Sequence, residues 1–164
     1  WRIYRSSKKI NVAPFILLKD EKRLKRYLKK KADENELFLI GRRHIRSNNS
    51  WMHNSERLVK GKDRCTLLMN PKDAKKRNLS HGEVIKMTSK TGSIQVPLEV
   101  SEGILEGVVS LPHGYGHNRE GVRLRVAKNN HGASINDLTS DLERDEVSGN
   151  AAFSTTRVKV TPAN

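Results

Sequence analysis

Residues 37–54 read Leu-Phe-Leu-Ile-Gly-Arg-Arg-His-Ile-Arg-Ser-Asn-Asn-Ser-Trp-Met-His-Asn. The apolar run Leu37 to Ile40 stops at Gly41, the pattern of a buried strand entering a loop. The loop is dense in hydrogen-bonding groups: Arg42, Arg43, His44, Arg46, Ser47, Asn48, Asn49, Ser50, His53 and Asn54. Guanidinium, amide and hydroxyl groups at this density can surround a large, polar, phosphate-bearing ligand. On residue types alone, a solvated basic surface loop is an equal alternative. Trp51 can stack on a flat heterocycle or anchor in a core.

Downstream of this stretch the chain reads as short strands and tight turns. Arg64–Met69 is a second apolar run. Asn70-Pro71 opens a helix to about Asn78, with Pro in the first turn and Asp73 near the positive end of the dipole. Glu83–Ser89 carries Val84, Ile85 and Met87 on a strand, and Thr91-Gly92 marks a hairpin turn. Ser93–Val100 alternates, with Ile94, Val96, Leu98 and Val100 on one face. A turn bracketed by Gly103 and Gly107 leads to a strand at Val108–Leu111. Pro112-His113-Gly114-Tyr115-Gly116-His117 is a loop, Val122–Val126 reads as a strand, and Thr156–Val160 closes the chain as another. Many short strands with a small helix between them predict a mainly β protein with short helices, closed or nearly closed as a barrel.

Upstream, residues 1–18 read as an extended arm broken by Pro14. Asp20 can cap a helix to about Lys31, with Leu24, Tyr27 and Leu28 on one face and lysine and arginine on the other. Residues 32–35 form a polar break. Two units are expected: an arm and basic helix over 1–35, and the barrel over 36–164. Beginning at Trp1 without a leader, the sequence reads as a piece of something longer.

The 164 residues carry a net charge of +14, with 35% hydrophobic and 5% aromatic residues. Such a charge raises nucleic acid as a partner. Its distribution weakens that reading, because Lys19–Lys31 holds eight basic and two acidic residues and so supplies +6 of the total. No aromatic-rich strand pattern of an RNA-binding sheet occurs, nor zinc-finger spacing. A basic barrel gripping nucleic acid is therefore the second reading. No apolar run approaches the roughly 20 residues needed to span a bilayer, so no membrane partner is expected. A lone cysteine, Cys65, excludes an internal disulfide and multi-cysteine metal sites, and fits a cytoplasmic setting.

Gly61-Lys62-Asp63 lacks the rest of a phosphate-binding loop, and Gly114-x-Gly116 the rest of a dinucleotide fingerprint. His113 and His117 stand four apart, but the two glycines between them argue against a helix and so against a metal pair. A glycine loop can instead bring backbone close to a ligand while the histidines donate. An exposed turn is the equal alternative. Asn136 can read a purine or pterin edge through paired donor and acceptor groups, or cap a turn. Asp141, Glu143, Asp145 and Glu146 read as a solvated acidic loop.

The order of these elements resembles the C-terminal cofactor-binding domain of the molybdopterin oxidoreductases, the group of formate dehydrogenases and nitrate and dimethyl sulfoxide reductases. Four segments carry the likeness: Leu39–His44 continuing to Trp51–Asn54; Met69–Ala74 followed by Leu79–Val84; Glu102–Val109 with the His-Gly loop; and Ser134–Thr139. Together they cover about residues 36–162. Ser80, Glu83 and Ser134 depart from residues common in the family. The resemblance implies a double-psi β-barrel, aspartate-decarboxylase-like, that clamps a molybdopterin guanine dinucleotide carrying molybdenum or tungsten. It implies a cofactor-binding set of Gly41, Arg42, Arg43, His44, Arg46, Ser47, Asn48, Asn49, Ser50, Trp51, His53, Asn54, His113, Gly114, His117 and Asn136. It implies no catalytic residue and no metal ligand in this chain, whose partners would be upstream domains of the same oxidoreductase. A self-cleaving barrel enzyme of the pyruvoyl decarboxylase kind is a third reading, with Gly92-Ser93 as its scissile bond.

Overall fold

The computed structural model describes residue 7, residues 9–29 and residues 33–163. The ends of the expected arm (residues 1–6 and 8), the expected helical end at Lys30 and Lys31, and Ala32 of the polar break lie outside the described residues. Six strands close into a barrel: β1 (Leu37–Arg42), β2 (Leu67–Met69), β3 (Val84–Thr88), β4 (Ser93–Val100), β5 (Val108–Pro112) and β6 (Thr156–Pro162), in the order β1-β5-β2-β4-β3-β6. Two pairs are parallel, β1 with β5 and β2 with β4; the other four are antiparallel. Closure leaves no open sheet edge. This is the mainly β barrel expected, and its strand order is compatible with a double-psi crossing.

The interior follows from alternation. Ile85 and Met87 point inward from β3, and Ile94, Val96 and Leu98 from β4, while their neighbours face outward. Leu37 and Leu39, Leu67 and Met69, Val109 and Leu111, and Val158 and Val160 complete one continuous core. Burying each such side chain contributes about 1.5–3 kcal/mol relative to exposure. A polar network ties strands together at one end. Half-buried Arg42 donates to the Ser110 carbonyl on β5, to the Thr66 carbonyl at 2.7 Å and to Thr66 Oγ1 at 3.1 Å. Thr66 Oγ1 donates in turn to Glu99 on β4 at 2.6 Å.

After the single-turn helix α2 (Glu56–Val59), the helix α3 (Pro71–Lys76) forms where expected, but it stops short of Asn78, which takes a left-handed φ of 54°. The Asn70 side chain accepts from Lys72 N, a conventional N-cap. Asp73, buried, accepts from Gly107 N at 2.7 Å and so pins this helix to the turn that enters β5.

Several sequence expectations shift. The first strand runs through Gly41 to Arg42, because β5 stays in register with it to the pair Arg42–Pro112. The apolar run Arg64–Met69 is strand only over Leu67–Met69; Cys65 and Thr66 are buried but lie outside the ladders. Residues 122–124 form no strand, and the helix α4 (Arg125–Asn129) follows them. Its first amides, Val126 N and Ala127 N, are met by Asn54 Oδ1 at 3.0 and 3.3 Å, a cap from 72 residues away that local pattern does not reveal. The N-terminal helix α1 (Phe15–Lys29) starts behind Pro14, whose carbonyl accepts from Leu17 N and Leu18 N, rather than at Asp20. Asp20 instead pairs with Arg23 one turn on. No residue of α1 is buried; Leu24, Tyr27 and Leu28 are 53%, 54% and 71% exposed.

Candidate functional site

Three segments meet beyond the ends of β1 and β5. The first is the turn-rich run 43–54. His44 organises its start: its carbonyl accepts from Ser47 N, Asn48 N and Ser47 Oγ, and its Nδ1 accepts from Arg46 N. Burial, then the charges of Arg64, Arg46 and Arg42, lower the His44 pKa. Asn48 and Asn49 follow with φ of 41° and 58°, the left-handed region that asparagine tolerates better than most residues. The second segment is the loop 113–117. Its first amide, His113 N, donates to the Arg42 carbonyl at 3.1 Å, so the loop leaves β5 alongside β1. The third is 131–139, held to the second by Gly116 N donating to the His131 carbonyl at 2.7 Å. Ser134 Oγ accepts from Asn136 N and opens a short 3-10 turn, Ile135–Asp137.

Glycine allows these segments to touch. A Cβ on Gly41 would overlap the His113 imidazole, and one on Gly114, at φ 91°, would overlap the Asn49 backbone carbonyl. One on Gly116, at φ 101°, would stand 2.7 Å from Ser134 Cβ. Each loop thus packs against the next through a missing side chain.

A cleft of about 660 Å³ lies between them. Of the sequence-predicted residues it gathers Gly41, Arg43, Asn49, Ser50, His113, Gly114, His117 and Asn136. Residues as far apart in sequence as Gly41 and Asn136 thus face one space. Arg43, Asn49 and Asn136 are exposed beside it. A guanidinium and two amides therefore stand ready for an anionic or hydrogen-bonding ligand.

The remaining predicted residues lie elsewhere. Arg42 turns its guanidinium into the network with Ser110 and Thr66; burial lowers its pKa, with Glu99 opposing. Asn54 caps α4. Trp51 is 82% exposed and lines neither this cleft nor the hollow beside it. His44 and Asn48 build the turn. Arg46, Ser47 and His53 border that second hollow, of about 400 Å³, together with Arg64, Cys65 and His131. Tyr115 borders both hollows and stacks on His53 with ring centroids 4.3 Å apart. Between them His53 Nδ1 and His117 Nε2 share a hydrogen bond of 2.8 Å.

Sequence reasoning passes over Tyr115, Thr139, Phe153 and Ser154 as lining residues. Tyr115, an aromatic between two glycines, and Thr139, closing Asn136-Asp137-Leu138-Thr139, stand inside motifs that the sequence does mark. Phe153 and Ser154 carry no local signal; the return of the chain to β6 brings them in. Among the described residues, no three histidine, cysteine or acidic side chains converge to hold a metal.

A family model described as molydopterin dinucleotide binding domain matches residues 37–157. The chain is 28% identical over 97 residues to YnfE of Escherichia coli (strain K12), which carries the name of a dimethyl sulfoxide reductase chain; the match covers 59% of this chain and 12% of that one. It is 32% identical over 91 residues to ArrA, the molybdopterin-containing subunit of the arsenate respiratory reductase of Chrysiogenes arsenatis, covering 54% of this chain and 10% of that one. It is also similar to a tetrathionate reductase subunit of Salmonella typhimurium, 30% identical over 53 residues, covering 32% and 5%. The chain therefore spans about a tenth or less of the length of these curated relatives. Among solved structures, acetylene hydratase from Pelobacter acetylenicus superposes with a TM-score of 0.66 at 20% identity, over 89% of this chain and 20% of that one, a likeness of fold.

Proposed function

The chain belongs to the molydopterin dinucleotide binding domain family, and from that premise we propose that its 660 Å³ cleft takes the nucleotide end of a molybdopterin guanine dinucleotide. The convergence of Gly41, Arg43, Asn49, His113, His117 and Asn136 on that cleft, from the end of β1 and three loop segments, carries the reading. Arg43 would meet a phosphate, as a guanidinium matches phosphate oxygens in pairs. Asn136 would answer a guanine or pterin edge with its amide donor and acceptor. The close glycine contacts leave room for backbone to approach a flat ligand. His44, Asn48 and Asn54 would act by shaping the loop, and Arg42 by tying it to the barrel. The metal, molybdenum or tungsten, would supply the electron transfer. This chain's part would be to hold and orient the pterin nucleotide.

The parent enzyme would be an oxidoreductase whose other domains supply the metal's remaining surroundings, with 1–35 as the connection to them and 36–164 as the cofactor clamp. Relatives named for dimethyl sulfoxide, tetrathionate and arsenate favour a small sulfur- or arsenic-centred acceptor as substrate; formate or nitrate is the alternative. Cofactor content measured on the complete enzyme, as pterin and metal per chain, tests the cleft. Arg43→Ala and Asn136→Ala should each weaken retention about tenfold, the worth of one charge-assisted or paired hydrogen bond. Unchanged content in both variants would place the nucleotide elsewhere.

A further inference from the structure

His53 is 2% exposed, and its Nε2 is buried with no hydrogen-bond partner among the described residues. Its other nitrogen, Nδ1, faces His117 Nε2 at 2.8 Å. His117 lines the cleft, and the two rings meet edge to face with centroids 5.0 Å apart. A neutral imidazole carries one N–H, so the shared bond has two registers. In one, His117 Nε2–H donates to His53 Nδ1. The proton of His53 then sits on Nε2, the buried nitrogen with no hydrogen-bond partner among the described residues. In the other, His53 Nδ1–H donates to His117 Nε2, and only a lone pair is left on the buried nitrogen. Buried N–H groups without an acceptor are rare in folded proteins, and unfilled acceptors are somewhat less so.

We propose that His53 is a positioning residue: it donates from Nδ1 to His117 and thereby holds His117 in the tautomer protonated on Nδ1, so that this ring offers a donor as its remaining hydrogen-bonding group. The bond made by one ring nitrogen dictates the state of the other. Burial, then the nearness of His117, lowers the His53 pKa, and burial lowers that of His117, with His131 adding to it; the Gly114 carbonyl opposes both shifts. Both rings are accordingly neutral at pH 7.5, the state in which a single proton must be shared. The Gly114 carbonyl is one acceptor near the His117 ring; that a carbonyl or phosphate oxygen of a ligand in the cleft is another rests on the proposed function. The tautomer is a property of the chain itself.

The test is two-bond ¹H–¹⁵N spectroscopy of the histidine rings in the full chain at pH 7.5. His53 and His117 should both show a protonated Nδ1 and a bare Nε2. His53→Phe keeps a flat ring against Tyr115 but removes the donor, and should release His117 into a mixture of tautomers. Finding His117 protonated on Nε2 in the unaltered chain overturns the proposal, as does an unchanged His117 spectrum in a folded His53→Phe. The unaltered spectrum decides the register even where a variant does not fold. Loss of the cofactor reading, by contrast, would appear in pterin content and leave this spectrum as it is.

Discussion

Gly114 and Gly107 both have positive φ, 91° and 78°, yet the space around them differs. A methyl group on Gly107 meets nothing within 4 Å, whereas one on Gly114 runs into the backbone of Asn49 and Ser50. Alanine at 107 should cost only the left-handed strain, about 1–2 kcal/mol. Alanine at 114 should add a backbone clash and push the 113–117 loop off the 43–54 turn. Urea unfolding should place Gly114→Ala well below Gly107→Ala in midpoint; equal midpoints would mean that the loops are not in contact. The motif Pro112–His117 already marks this glycine as one that lets backbone approach closely. What it approaches, another stretch of backbone in the same chain, is not legible locally.

At the level of elements, α4 depends on a distant cap. Leu124, at the N-cap position, offers no side-chain acceptor, and Asn54 takes that role for Val126 N and Ala127 N. Asn54→Ala should destabilise the chain by about 1 kcal/mol and speed hydrogen exchange at those two amides, while Asn54→Asp keeps the acceptor and most of the protection. Exchange unaffected by Asn54→Ala would show that the helix stands without the cap. The same pairing explains why Val122–Val126 reads as a strand in sequence. Alternating apolar residues are ambiguous over so short a stretch, and the deciding bond comes from the 43–54 turn. Strands with long alternation, β3 and β4, are legible because their period alone separates inner from outer faces.

For the whole molecule, titrating groups predict a stability plateau near neutral pH. His44, His53 and His117 all have lowered pKa values, chiefly through burial. Below about 6.5 the unfolded imidazoles take up protons that the folded ones refuse, so stability falls with pH there. Glu99, lowered by the Thr66 hydroxyl and then by Lys62, adds a second loss in the carboxylate range. On the alkaline side, burial raises the Cys65 thiol from 9.0 to about 11. Above about pH 9 the unfolded thiol ionises first, and stability falls as pH rises. Urea midpoints should therefore be flat from about pH 6.5 to 9 and drop on both sides, and His53→Phe should blunt the first acid step. A midpoint that climbs on acidification from neutrality into the carboxylate range would contradict this.

Local pattern is enough to set the class of the molecule: short alternating strands too brief to stand alone, one capped helix, glycine-punctuated loops, and a polar run after Ile40. These are local properties, set by side-chain period and backbone freedom within a few residues. Which polar residues face the cleft depends instead on how distant segments pack together. Arg42 and Arg43 are adjacent and chemically alike, yet one is tied to Ser110 and Thr66 along the barrel wall and the other opens to the cleft. The register of β1 against β5 ends at the pair Arg42–Pro112, so Arg42 is still held in the ladder while Arg43 stands beyond it in the turn. That register, like the meeting of His53 with His117, arises between segments far apart in the chain, where no local pattern can encode it.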